Sequence, residues 1–189
     1  MPIKFDRMNN YMKNLFFIRH GESVANQMKI IAGHTDVDLT DLGVKEAIKA
    51  GIELKQLDQK IDLIISSPLK RAFRTAQEIA KQINYPEVDI IVHQSATERF
   101  RGKLEGQPVS NQESMLDKDF IIHGAESEAD MLSRAKDLFE FLKYRKEDNI
   151  LVVSHNQFGR SFVSYLTNAD RNDVHKLPNA HVFNIRISS

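Results

Sequence analysis

LFFIRHGESVAN, residues Leu15 to Asn26, breaks from a run of large apolar side chains directly into arginine, histidine, glycine and glutamate. An unbroken apolar run of this length has the pattern of a strand buried on both faces, and such strands belong to sheets covered by helices on either side. DLIIS (Asp62–Ser66), VDIIV (Val88–Val92) and ILVVS (Ile150–Ser154) repeat the pattern. Helical periods fall between them. Leu69, Ala72, Phe73, Ala76, Ile79, Ala80 and Ile83 recur at three and four residues and make one apolar stripe, with Ser67 as N-cap and Pro68 at the first helical position. A second helix is expected from the Thr40-Asp41 cap region to Leu57, turning Ala47, Ile48, Gly51 and Leu54 inward. A third spans Glu126 to Tyr144 on Leu132, Ala135, Leu138, Phe139 and Leu142, and a short fourth runs from Gln157 to Leu166. VFNIRI (Val182–Ile187) alternates apolar residues with Asn184 and Arg186, as a half-exposed edge strand does. The alternation of strands and helices predicts an α/β three-layer sandwich, with a mostly parallel central sheet and helices on both faces.

Composition bounds what such a chain does. Its 189 residues suit one domain, expected over residues 15–189, after a polar lead-in, MPIKFDRMNNYMKN, over residues 1–14. That lead-in is charged throughout and lacks the apolar run of a secretory signal; the Met8 and Met12 pair reads as part of a tether. Lys and Arg number 26 against 26 Asp and Glu, so no global field draws nucleic acid or an anionic membrane, and any anion site must be local. No apolar stretch approaches the ~20 residues needed to span a bilayer, so the chain is expected to be soluble. The sequence contains no cysteine, which removes disulfides and thiolate metal sites and favours a cytoplasmic setting.

Sheets of this kind bind ligands at the carboxyl ends of their strands. After LFFI comes Arg19-His20-Gly21-Glu22-Ser23, after DLIIS the Pro68–Arg71 turn, after VDIIV Glu98, and after ILVVS His155. A phosphate group matches this set. It is doubly negative and offers faces of oxygens that an arginine fork binds through charge-assisted hydrogen bonds, each contributing about 1.5–3 kcal/mol. Arg19 and Arg71 suit that task, and Arg71 falls in a helix's first turn, where free N–H groups and the dipole also favour an anion. The two arginines push the His20 pKa below the usual ~6.5, leaving a neutral ring able to attack phosphorus. Gly21 lets the backbone come close, and a backbone carbonyl accepting from one ring nitrogen leaves the other for the phosphate. A lone histidine at a strand end is usually structural, and an arginine in a first turn usually faces solvent. The agreement of several strand ends carries the functional reading.

RHGESVAN, SSPLKRAFRTA, TERFRGKLEG and VVSHNQFGR, in this order and at strand ends, resemble the histidine phosphatase superfamily, with its phosphoglycerate-mutase-like fold, from Leu15 to Ile187. LTDLGVKEA (Leu39–Ala47) and LPNAHVFNI (Leu177–Ile185) also look like family segments. The resemblance implies that His20 is phosphorylated during turnover, that Arg19, Arg71 and His155 hold the phosphoryl group, and that Glu98 is the general acid. Ser23 and Asn26 are expected at the phosphate or its surroundings, and Gly21 and Asn156 among the substrate-binding residues. Glu98 must carry a proton to donate to the leaving oxygen; an arriving phosphate dianion favours that form where the arginines alone favour the ionised one. The expected activity is that of a phosphomonoesterase of the histidine acid phosphatase type, needing no metal and no cofactor, acting on a small-molecule phosphate ester. The alternatives are a cofactor-dependent phosphoglycerate mutase, a phosphoprotein phosphatase, and a phospho-ligand-binding protein without catalysis. The interval from Glu98 to His155 must also hold the long helix, leaving little for the lid a mutase needs, and this favours hydrolysis. Asn156 stands where many relatives carry glycine, and Arg101 where an aromatic residue is common; both bear on substrate choice. Lys103–Ala125 is expected to frame the leaving-group pocket. His34 and His123 are expected at the surface, and Lys143–Asp148 as a solvated helix end, while His93, His175 and His181 have no motif support.

Overall fold

A computed structural model describes residues 12–57, 59–112 and 114–188. The lead-in up to residue 11, with Met8, lies outside the described residues. In chain order the elements are β1 (Met12–Arg19), α1 (Val24–Gln27), α2 (Asp41–Lys55), β2 (Leu63–Ser66), α3 (Lys70–Ile83), β3 (Ile91–Val92), α4 (Asp117–Ile122), α5 (Glu128–Lys143), β4 (Asn149–Ser154), α6 (Asn156–Thr167) and β5 (Val182–Ser188). Among these residues the strands form one sheet in the order β3-β2-β4-β1-β5. All neighbours pair in parallel except β5, which runs antiparallel to β1 at the sheet's edge.

Alternate side chains of a strand face opposite sides of its sheet, and β1 shows what that requires. Leu15 and Phe17 enter a core with Leu138 and Leu142 of α5 and Phe158 and Phe162 of α6. Phe16 and Ile18 enter another, with Ala50 and Leu54 of α2 and Ala72, Ala76 and Ile79 of α3. All four are 0% exposed, so a polar residue anywhere in the run would be stranded in one core or the other. Helices on both faces make the three layers the apolar runs predict. Among the described residues no helix is long and apolar enough to cross a membrane.

Element boundaries depart from the sequence expectations for local reasons. β1 begins at Met12, so the last residues of the expected lead-in belong to the sheet, and Lys13 is buried, donating to Arg145 O at 2.5 Å and Glu147 O at 3.0 Å. The Lys143–Asp148 stretch is therefore tied to β1 rather than simply solvated. Ser67 does not cap α3: its N–H still bonds to Val153 O at 3.0 Å, continuing the β2 ladder, and the helix starts at Lys70. The Lys70 N–H donates instead to Asp36 Oδ1 at 2.7 Å, so a carboxylate of this chain occupies the anion-favouring end of α3. β3 is only two residues long, because Glu87–Asp89 after Pro86 form a 3-10 turn. α5 starts at Glu128 behind a reciprocal cap between Ser127 and Asp130, and it buries Met131 while Leu132, about 100° around the helix, is 45% exposed. In α2, Ala50 is buried where Ile48 is half-buried.

Candidate active site

The middle of the sheet, β2-β4-β1, brings three strand ends side by side. Arg19 closes β1 and His20 follows it, its N–H donating to Ser154 O of β4 at 3.0 Å. His155 follows β4, and its ring centroid lies 5.1 Å from that of His20, edge-on at 60°. Arg19, His20, Arg71 and Glu98, together with Ser23, Asn26 and Asn156, line a pocket of about 290 Å³.

His20 is nearly fully buried, and its Nδ1 lies 2.7 Å from Gly21 O. A carbonyl only accepts, so Nδ1 carries the proton and Nε2 keeps its lone pair. Burial, then the charges of Arg71 and Arg19, hold the ring's pKa well below the ordinary histidine value, against the opposing effect of the Gly21 hydrogen bond. His20 is therefore neutral at pH 7. Gly21 itself is buried and is not among the residues that line the pocket. Its missing side chain serves packing: a Cβ there would lie 2.3 Å from Gly43 O in the first turn of α2. The Gly21 N–H donates to Thr75 Oγ1 of α3 at 3.1 Å, fixing the turn from a second helix.

Both arginines are buried and clamped by carbonyls. Arg71 donates from Nη1 to Thr35 O at 3.0 Å and from Nη2 to Gly33 O at 2.8 Å. Arg19 donates from Nη1 to Leu177 O at 2.9 Å, and its Nε has no hydrogen-bond partner among the described residues. Burial lowers the pKa of each, and the nearby Glu98 charge works against that. Asn156 acts through Arg19: its Oδ1 accepts from Leu177 N at 2.9 Å and so holds the segment whose carbonyl holds the guanidinium. Ser23 and Asn26 line the pocket while capping α1 reciprocally, and Asn179, which the motifs did not single out, donates to His20 O at 2.8 Å.

His155 is fully buried, and its Nε2 lies 2.7 Å from Ser67 Oγ while Nδ1 has no partner among the described residues. Burial first, then the Arg71 charge, keep this ring's pKa well below the ordinary value too. Glu98 is anchored to the helix that His155 begins. Its Oε1 accepts from Arg99 N at 2.8 Å and Phe158 N at 3.1 Å, and its Oε2 from Gln157 N at 3.3 Å. The carboxylate thus caps the first turn of α6. His34 is exposed as expected, yet its Nε2 donates to Glu98 O at 2.7 Å and steadies the same residue.

Val109 and Gln112 of the 103–125 segment reach the pocket wall, as do Arg101, Gln157, Arg160 and Lys176. Of these, the sequence marked Arg101 only as a departure from pattern, held Gln157 and Arg160 inside the VVSHNQFGR motif without assigning them a role, and gave Lys176 no signal. His93, His123, His175 and His181 are not in the lining, and neither is His155, which stands behind it with its ring against that of His20.

Comparison with known proteins bears on the family and the fold. A stretch covering 50% of the chain is 39% identical over 94 residues to the 2,3-bisphosphoglycerate-dependent phosphoglycerate mutase of Bartonella bacilliformis, 46% of which is matched, so the chain spans about half the length of that curated relative. A broad-specificity phosphatase of Saccharomyces cerevisiae is 27% identical over 188 residues, covering 94% of this chain and 80% of the relative. The crystal structure of phosphoglycerate mutase from Bacillus anthracis superposes with a TM-score of 0.80 or better, at 0.82, with 21% identity over 95% of this chain and 90% of that one, and so shares the fold. The family described as the histidine phosphatase superfamily (branch 1) matches residues 15–189. With that match spanning the sheet, both histidines and both clamped arginines, the chain belongs to the histidine phosphatase superfamily.

Proposed function

We propose that the protein is a phosphomonoesterase that hydrolyses a small phosphorylated metabolite through a phosphohistidine on His20. The observation that carries this reading is the His20 ring: neutral, fixed by Gly21 O at Nδ1, and set beside Arg19 and Arg71 with its Nε2 lone pair available. In the first step Nε2 attacks phosphorus, the bond from phosphorus to the leaving oxygen breaks, and Glu98 gives that oxygen its proton. Arg19, Arg71 and the His155 N–H hold the equatorial oxygens as charge spreads over them. In the second step water attacks the phosphohistidine and loses its proton to Glu98, and the bond from phosphorus to nitrogen breaks, returning its electron pair to Nε2. Hydrolysis is favoured over transfer to a second hydroxyl because α4, α5 and β4 take up much of the chain between Glu98 and His155. A water-excluding cover has little chain left to form from.

Rapid quenching during turnover of a ³²P-labelled phosphomonoester should trap an acid-labile label on His20, and His20→Ala should lower p-nitrophenyl phosphate hydrolysis by about a thousandfold or more. Activity surviving in that variant would refute the mechanism.

A further inference from the structure

Arg101 is a cation for which the chemistry above has no task. Its side chain is 4% exposed and lines the pocket with Glu98 and Gln112, and its Nη1 has no hydrogen-bond partner among the described residues. The guanidinium lies over the ring of Phe120, 4.6 Å from the centroid, and the same ring carries Arg99 at 4.3 Å. Those two arginines differ in one respect. Arg99 pairs with Asp117 Oδ1 at 2.5 Å and donates to Glu126 O at 2.8 Å. Neither acid neighbouring Arg101 in sequence bonds its guanidinium: Glu98, three residues before it, spends its carboxylate on the N–H groups of Arg99, Gln157 and Phe158, and Glu105, four after it, accepts at 3.1 Å from the Arg101 backbone N–H and otherwise bonds His34 and Thr35. Burial lowers the Arg101 pKa to about 10, which leaves it charged at neutral pH. A buried cation with an open donor is unfavourable unless something completes it, and the open side here is the pocket. Lys176, exposed on the same wall, adds a second positive charge; Arg160 is held by Val174 O and Arg171 O.

The transferred phosphoryl group already has Arg19 and Arg71. Resting on the phosphatase reading above, we infer that Arg101 binds a second anionic group, a carboxylate or a phosphate, on the leaving-group part of the substrate, and so selects doubly anionic esters over neutral ones.

Matched substrate pairs test this. One pair is 3-phosphoglycerate against glycerol 3-phosphate, which differ by a carboxylate in place of a hydroxymethyl group; the other is propane-1,3-diol bisphosphate against 3-hydroxypropyl phosphate. The wild type should favour the anionic member of at least one pair by about tenfold or more in kcat/KM, and the favoured pair identifies the anion. Arg101→Gln should bring that ratio close to one, Arg101→Lys should retain part of it, and Lys176→Ala should lower it less. A wild type that hydrolyses p-nitrophenyl phosphate but does not discriminate within either pair, or a preference that persists in Arg101→Gln, overturns the subsite and leaves the phosphatase reading intact. Failure to hydrolyse any of these esters overturns the phosphatase reading instead. In that case calorimetric binding of the same pairs to His20→Ala, with and without Arg101→Gln, still decides the subsite. Should Arg101→Gln fail to fold, the wild-type ratios and the Arg101→Lys ratio decide it.

Discussion

The one proton of the neutral His155 ring must sit on a particular nitrogen, and Ser67 decides which. The proposed mechanism needs the His155 Nδ1 as a donor, which requires Nε2 to accept the proton of Ser67 Oγ, 2.7 Å away; that hydroxyl also accepts from Leu69 N at 3.3 Å. The ring's proton then lies on Nδ1, the nitrogen that the proposed mechanism uses as a donor to a phosphoryl oxygen. Ser67 is on this account a positioning residue that acts through the ring, as hydrogen-bond partners of active histidines commonly do. Ser67→Ala should lower kcat by roughly ten- to a hundredfold, from the loss of one buried hydrogen bond and of the tautomer it fixes, with little change in KM. Ser67→Thr should restore part of the rate, and ¹⁵N spectra of the ring should show the alanine variant losing its single tautomer. A variant that changes KM and keeps kcat would place Ser67 in the scaffold alone.

The turn after β1 and the first turn of α2 are built as one unit. The turn and the helix meet backbone to backbone: a Cβ at Gly21 would strike Gly43, and a Cβ at Gly43 would lie 2.0 Å from O of Glu22, the residue after Gly21. Thr40 joins them, its N–H donating to Glu22 O at 2.9 Å while its Oγ1 accepts from Gly43 N at 3.1 Å as the cap of α2. Because Gly21 O is the acceptor for His20, an added methyl group at Gly43 should shift the proposed nucleophile along with the helix. Gly43→Ala should destabilise the fold by about 1–3 kcal/mol in urea titrations and lower phosphate release more than the loss of folded protein explains. Lys49→Ala, on the exposed side of the same helix with its side chain 80% exposed, should change stability by less than about 0.5 kcal/mol and is the control. The elements themselves were legible wherever burial is uniform along them, as in β1, β4 and the stripe of α3. They were misread where a tertiary partner replaces a local signal, as when Asp36 caps α3 in place of Ser67.

Across the whole molecule the same division holds for the site. Arg19, His20, Arg71, Glu98 and His155 were legible because each follows a buried run or its connecting turn, and the parallel sheet then has to bring them to one edge. Arg101, Lys176 and Asn179 come from irregular chain whose place is set by distant contacts, such as Ile31 N donating to Gln107 O at 2.8 Å and Val109 N to Lys29 O at 2.9 Å, and sequence spacing says nothing of these. The caged histidines also leave a mark on global stability. His20 and His155, with His93 to a lesser extent, have pKa values lowered by burial, whereas an unfolded chain restores about 6.5. Below that value the unfolded state binds more protons than the folded one, so stability is fully present above about pH 6.5 and is lost as pH falls toward the folded values. Carboxylates act in a lower window: Asp130, whose pKa the Ser127 hydroxyl holds down, contributes stability that is lost only as pH falls below the ordinary aspartate range near 4. The melting temperature should therefore be flat from pH 8 to 7 and decline between about pH 6.5 and 5, before the carboxylate window opens. His155→Asn should make that decline shallower. A melting temperature unchanged across the histidine window would mean that the two rings are not held neutral, and the nucleophile assigned to His20 would have to be given up.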